Sequence, residues 1–189
     1  MLKVEAPGGA REILLHACCA PCSGAVLECL RDSGIRPVVF FSNSNIFPKE
    51  EYDLRLSELR RYGEVMGVEV AEDEYDHGAW LAAVRGLERE PERGCRCAAC
   101  FRFRLERAAR YAASRGLPVL ATTLASSRWK DLDQVNAAGL AACETEAVVF
   151  WPQNWRKGGL QERRNAVVRE QCFYNQNWCG CEFSRNQNP

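Results

Sequence analysis

Short apolar runs alternate with helical stripes along the chain. The first run, Ile13 to Ala17, leads into His16-Ala17-Cys18-Cys19-Ala20-Pro21-Cys22. Pro21 suits the first turn of a helix, Val26, Leu27 and Leu30 recur at helical spacing, and Gly34 offers a left-handed stop. Arg36 to Ser42 (RPVVFFS) is dense in β-branched and aromatic residues and runs into the polar Asn43-Ser44-Asn45, which predicts a buried strand. A second helix starts near Pro48 and carries Tyr52, Leu56, Leu59 and Met66 on one face. Val68 to Ala71 predicts a third strand, and Ala79 to Leu87 a shorter helix before the turn-rich stretch from Glu90 to Gly94. Phe101, Leu105, Ala108 and Ala112 fall at i, i+4, i+7 and i+11, so a long helix begins within Cys95 to Cys100. Pro118 to Thr122 and Ala147 to Phe150 predict further strands, and Asp131 to Cys143 and Leu160 to Glu170 further helices.

Strands alternating with helices of about a dozen residues predict an α/β fold, a Rossmann-like parallel sheet flanked by helices and joined by right-handed crossovers. One such domain accounts for residues 1–189. Within it, residues 1–11 are expected to be a flexible N-terminus and residues 174–189 a polar, cysteine-containing tail packed on a metal site. Apolar residues at 47% and charged residues at 26% exclude a disordered or low-complexity chain. No apolar run approaches the roughly 20 residues of a membrane span, and the opening lacks a signal-peptide core, so no membrane partner and a cytoplasmic setting are expected.

Eleven cysteines change the picture. They fall short of the density of a secreted disulfide scaffold, and in a reducing compartment clustered thiols read first as metal ligands or redox groups. With only two histidines, His16 and His77, a metal site must rest on sulfur. Three groups stand apart: Cys18, Cys19 and Cys22; Cys95, Cys97 and Cys100; Cys179 and Cys181. In a parallel sheet, ligands gather where strands lead into helices, and a helix N-terminus favours the thiolate that binds metal. The first two groups sit at predicted helix starts and could face each other across the sheet end. Cys29, Cys143 and Cys172 read as core thiols. His16, in the strand just before the thiols, reads as a hydrogen-bonded neighbour of the site rather than a ligand. An irregular set of thiolates from separate turns favours a four-iron cluster modestly over structural zinc.

Five segments in order, HACCAPCSG, FFSNSNIFPKEEYDLRLSEL, RCAACFRFRL, TTLASSRWKD and FYNQNWCGCEFS, resemble the cobalamin-independent epoxyqueuosine reductases of the QueH type. The resemblance runs from about residue 13 to residue 184. It implies an oxidoreductase of tRNA modification that removes the epoxide oxygen of epoxyqueuosine at the wobble position, giving queuosine. It also implies a 4Fe-4S cluster with an adjacent mononuclear metal ion, iron or zinc. Carried over by motif, the metal thiols are Cys18, Cys19, Cys97, Cys100, Cys179 and Cys181, with Cys22 a further candidate for the second metal. One departure is Asn154-Trp155-Arg156-Lys157-Gly158, where such proteins usually carry Asp-Phe-Arg-Lys-Lys, so no role is given to that acid. Cys95, where a basic residue is common, is left out.

Deoxygenating an epoxide takes two electrons and protons, and no side chain supplies such electrons, so a redox cofactor must. Nothing resembles a G-x-G-x-x-G loop, which makes an external low-potential electron donor the expected partner. Tyr52, Lys130 and Asp131 are the candidates for proton supply. The other expected partner is a tRNA with a queuosine-type anticodon, whose loop is read by aromatic stacking and by cations on phosphate. Twenty-five basic residues balance 25 acidic ones, yet the cations cluster. Arg102, Arg104, Arg107, Arg110 and Arg115 are opposed only by Glu106, and Arg156, Lys157, Arg163, Arg164 and Arg169 by Glu162, an excess of about +4 in each stretch. Candidate substrate contacts are Asn43, Asn45, Arg55, Arg102, Arg156 and Tyr174. Two other functions compete with this one. An ATP-dependent tRNA-thiolating enzyme would need a Ser-Gly-Gly-x-Asp-Ser loop after the first strand, which HACCAPCSG is not, and a zinc-stabilised RNA-binding module would be colourless.

Overall fold

A computed structural model describes residues 2–184. Five strands, β1 (Glu12–His16), β2 (Arg36–Phe41), β3 (Val70–Glu72), β4 (Val119–Thr122) and β5 (Val149–Phe150), form one sheet in the order β3-β2-β1-β4-β5. Every pairing is parallel, and β1 lies in the middle, with Leu14 opposite Val38 on one side and Leu120 on the other. Ile13, Leu14 and Leu15 are wholly buried. A strand covered on both faces reads as a continuous apolar run rather than an alternating one, as this one does.

Six helices connect and follow the strands: α1 (Ala20–Asp32), α2 (Lys49–Met66), α3 (His77–Ala83), α4 (Cys95–Ser114), α5 (Leu132–Cys143) and α6 (Leu160–Glu170). Right-handed crossovers put α1 and α2 on one face of the sheet, and the return to β4 puts α4 and α5 on the other. The packing follows: α1 contacts α2 and α6, and α4 contacts α5. The order in which strands are added to the sheet reverses between β1 and β4, so the carboxyl ends of these two strands frame the crevice where this architecture binds ligands.

The expected elements form, with shifts that have local causes. β3 begins at Val70 rather than Val68, because the Val68 N–H is spent on the Gly63 carbonyl that closes α2 (3.0 Å) after the left-handed Gly67. α3 starts two residues early, at His77, because Asp76 accepts from the Ala79 N–H and caps it. Cys172 corrects an expectation. It is exposed, in a left-handed turn just after α6, while the next residue, Phe173, takes the buried place. Cys29 and Cys143 are buried as read. Ahead of β1, Ala6 is buried and the Val4 N–H donates to Ser33 Oγ (3.1 Å). Of the tail expected over 174–189, residues 185–189 lie outside the described residues. No helix among the described residues is long and apolar enough to cross a membrane.

Candidate metal centre and substrate cavity

β1 delivers the first thiols. After His16 the Cys18 N–H donates to Thr123 Oγ1 just past the end of β4 (3.1 Å), and Cys19 takes the N-cap position of α1. The sulfurs of Cys18, Cys19 and Cys22 lie within 4.8 Å of one another, close enough to share one ion. The Cys18 thiol is pulled well below its usual range because Cys19 and Cys22 hydrogen-bond to it, while Cys19 and Cys22 are raised by the same contacts. A cluster at a helix N-terminus therefore favours one negative charge shared within the thiol group.

Behind this triad stands a buried polar brace. His16 Nε2 donates to the Ser42 carbonyl (3.1 Å), and Nδ1 accepts from the Thr122 hydroxyl (2.8 Å). Burial holds the imidazole down to about 3, so it is neutral and both nitrogens are engaged. Arg104, buried on α4, donates to the same Ser42 carbonyl (3.2 Å) and to Asn43 Oδ1, and Asn43 Nδ2 donates to the Ala17 carbonyl (2.9 Å). Asn43 is thus occupied in tying β1, the end of β2 and α4 together.

The second set of thiols comes from two places. Cys97 and Cys100 occupy the first turns of α4, where the Arg93 N–H donates to Cys97 Sγ (3.3 Å). Cys179 and Cys181 come from the tail, which the rest of the molecule grips. Arg55 donates to the carbonyls of Cys179 (3.0 Å) and Trp178 (3.4 Å), the Phe47 N–H donates to the Gly180 carbonyl (2.9 Å), and His77 Nε2 lies 2.9 Å from Glu182 Oε1. Gly180 sits at φ +103°, and a Cβ there would come within 2.9 Å of Ile46 and 3.1 Å of Arg55. The Cys179 thiol falls well below its usual range because Cys181 hydrogen-bonds to it, and Cys181 rises for the same reason. Burial pushes Cys97 up to about 11 and Cys100 upward as well.

All seven thiols expected to hold metal line one cavity of about 410 Å³. Lys130 joins the two sets. Burial disfavours its charge, but the electrostatic pull of the Cys18, Cys22 and Cys179 sulfurs outweighs that and raises its pKa. Asn45 and Arg55 also line the cavity. Asn45 Oδ1 is buried there without a hydrogen-bond partner among the described residues, so the cavity presents an open acceptor. A set of four thiols and a set of three, all free and reached by Lys130, fit an iron–sulfur cluster and a separate ion in donor chemistry and in number.

The other expected residues lie elsewhere. The Tyr52 hydroxyl donates to Glu72 (3.1 Å), and burial together with the Glu72 charge raises its pKa far above the ordinary value. Asp131 caps α5, accepting from the N–H groups of Asp133 (2.9 Å) and Gln134 (3.0 Å). Arg102 points outward and pairs with Glu106 (2.7 Å). Arg156 donates to the Lys130 carbonyl (2.8 Å), one layer behind the cavity. The Tyr174 hydroxyl lies 3.0 Å from Glu51. Of the expected catalytic and substrate residues, the cavity walls therefore include Lys130, Asn43, Asn45 and Arg55. Glu92, Arg93, Arg96 and Trp80 line it without having been singled out in the sequence. Arg104 carried a signal, since it lies four residues after Cys100 on the same face of α4. Glu92 and Arg93 sit in a turn with no periodicity to mark them.

A thiol-lined cavity at the switch point of a doubly wound sheet defines the class, an α/β protein whose clustered free thiols could hold metal. A family model described as Epoxyqueuosine reductase QueH matches residues 13–187. A protein named Epoxyqueuosine reductase QueH from Histophilus somni (strain 129Pt) is 45% identical over 183 residues, covering 96% of this chain and 75% of that protein. Its namesake from Haemophilus influenzae is 43% identical, with the same coverage. One from Thermotoga maritima is 34% identical over 175 residues, covering 91% of this chain and 89% of that protein. The chain belongs to the QueH family, whose members are oxidoreductases.

Proposed function

We propose that this chain reduces epoxyqueuosine to queuosine at the wobble position of tRNA, the last step in making that nucleoside, without cobalamin. Both C–O bonds of the epoxide break, a C=C bond forms, two electrons and two protons are consumed, and the oxygen leaves as water. The electrons come from an external low-potential donor. The convergence of seven thiols on one cavity carries this reading.

Cys97, Cys100, Cys179 and Cys181 would hold a 4Fe-4S cluster, and Cys18, Cys19 and Cys22 the adjacent iron or zinc ion. When bound, these groups supply single electrons at low potential and a Lewis acid for the epoxide oxygen. The chain does the rest. Lys130 presents its ammonium to the interior and is placed to give a proton to the departing oxygen. Asn45 offers its unpartnered Oδ1 to a hydroxyl or N–H of the modified base. Trp80, wholly buried against Cys100 and Cys181, keeps water from that side of the thiols. Tyr52 and Asp131 hold no proton for the reaction in this scheme, being engaged elsewhere. A cytoplasmic setting, which keeps all eleven thiols reduced, belongs to the same reading.

Anaerobic reconstitution followed by turnover of epoxyqueuosine-containing tRNA tests this. The wild-type protein is expected to convert the tRNA, and Cys100→Ala to lose both brown colour and turnover. Full turnover by Cys100→Ala, or none by a fully loaded wild-type protein given a strong reductant, overturns the reading.

A further inference from the structure

The fold spends most of the α4 cations on carboxylates and leaves several cations around the cavity without one. On α4, Arg107 pairs with Asp73 (2.5 Å), Arg115 with Glu69 (2.8 Å) and Arg102 with Glu106, while Arg104 is buried in the polar brace. Arg163 on α6 is held by Glu28 and Glu170. Of the exposed α4 cations, Arg110 is left without a carboxylate partner among the described residues. Four arginines at the cavity rim or next to it make no ion pair among the described residues. Arg93 spends its guanidinium on the carbonyls of Arg128 (3.0 Å) and Trp129 (3.1 Å), and Arg156 on that of Lys130. Arg164 reaches only the side-chain amides of Asn165 and Asn175, and Arg128 lies over the Trp129 ring, 4.9 Å from its centroid. Arg93, Trp129 and Arg164 line the cavity, and Arg128 and Arg156 adjoin it through Trp129 and Lys130.

Trp129 stands at the same rim. At 68% exposure it is the most exposed large hydrophobic side chain among the described residues, whereas Trp80, Trp151 and Trp155 are buried. Its backbone is pinned by Arg93, and the next residue, Lys130, reaches into the cavity. An indole held in water at the lip of a cation-rimmed cavity is poorly explained by packing and well explained by a flat, anionic partner.

We propose that Trp129, with Arg128, Arg93 and Arg164 around it, is the docking surface for an unpaired RNA loop. The indole stacks on the base next to the nucleotide that enters beside Lys130, and the arginines meet the flanking phosphates. This rests on the tRNA reading above and assigns recognition to the cavity rim instead of the α4 arginines. Stacking and cations together select single-stranded RNA, because a base paired within a duplex has no free face to offer.

The test is the affinity of metal-loaded protein for a labelled anticodon stem–loop RNA across a salt series, with duplex RNA of equal length as the comparison probe. Trp129→Ala is expected to weaken stem–loop binding about tenfold without changing the salt slope, and Trp129→Phe to restore most of it. Arg128→Gln is expected to lower the slope by about 0.7, one single-strand phosphate contact. Arg110→Gln, an exposed cation of α4, should change neither. Metal content and melting temperature of each variant confirm the fold. Wild-type affinity in Trp129→Ala, or an equal loss toward duplex RNA, overturns the docking surface alone. A wild-type protein that binds no stem–loop overturns this surface and the tRNA reading with it.

Discussion

The three thiols after β1 and the four from α4 and the tail line the same cavity but are held in different ways. Cys18, Cys19 and Cys22 occupy a single turn between a central strand and its helix, and the main chain and core of the sheet fix them. Cys97 and Cys100 meet Cys179 and Cys181 across about eighty residues of sequence, and side chains from α2 and α3 complete the arrangement. The first set is as stable as the fold itself. The second is as stable as the grip on the tail, which makes the tail anchors the place where metal binding and folding can be separated.

Loss of that grip should give the largest effect. Arg55 is buried, paired with Glu51, and bonded to two tail carbonyls. Arg55→Ala should release the tail and remove most of the cluster, seen as loss of inorganic sulfide, while the triad still binds one ion. Retention of full sulfide would show that the tail is held by other means. Gly180→Ala attacks the same point from the backbone. Its Cβ meets Ile46 and the Arg55 guanidinium at a φ that L residues avoid, and it should lower cluster content several-fold with little change in melting temperature.

The opposite dissociation is expected at Gly139 on α5, where an added Cβ would lie 2.2 Å from the Phe150 ring. Gly139→Ala should cost about 1–3 kcal/mol of stability by overpacking, measured by denaturant unfolding, and leave the metal content of the folded protein unchanged. The smallest effect belongs to Ser184, whose Oγ lies 3.3 Å from Cys179 Sγ. Ser184→Ala should leave iron and sulfide unaltered and shift the cluster potential only slightly, read by electrochemical titration, because the hydroxyl proton is donated to the Cys181 carbonyl (2.8 Å) and not to the ligating sulfur.

The same contrast explains what was legible in the sequence. The alternation of apolar runs and helical stripes located the strands and helices, and the turn at HACCAPC marked the first thiols, because both are local patterns. The joining of Cys97 and Cys100 to Cys179 and Cys181 is not written in any window. It was reached through the resemblance of five separated motifs. Long-range polar contacts escaped in the same way: Tyr52 is taken by Glu72, and the charge of α4 by Asp73 and Glu69. Counting cations along one helix misses acids that tertiary structure brings to them. Cys172 was misread because its apolar neighbour Phe173 fills the core place, which periodicity alone does not decide.

Whether the thiols hold a cluster and a separate ion is decided by the iron, zinc and acid-labile sulfide content of the protein reconstituted without oxygen, together with its visible spectrum. A brown protein with about four sulfides per chain is predicted, with one further metal ion that disappears when Cys18 and Cys22 are both replaced by alanine. A colourless protein holding zinc alone and no sulfide would contradict it.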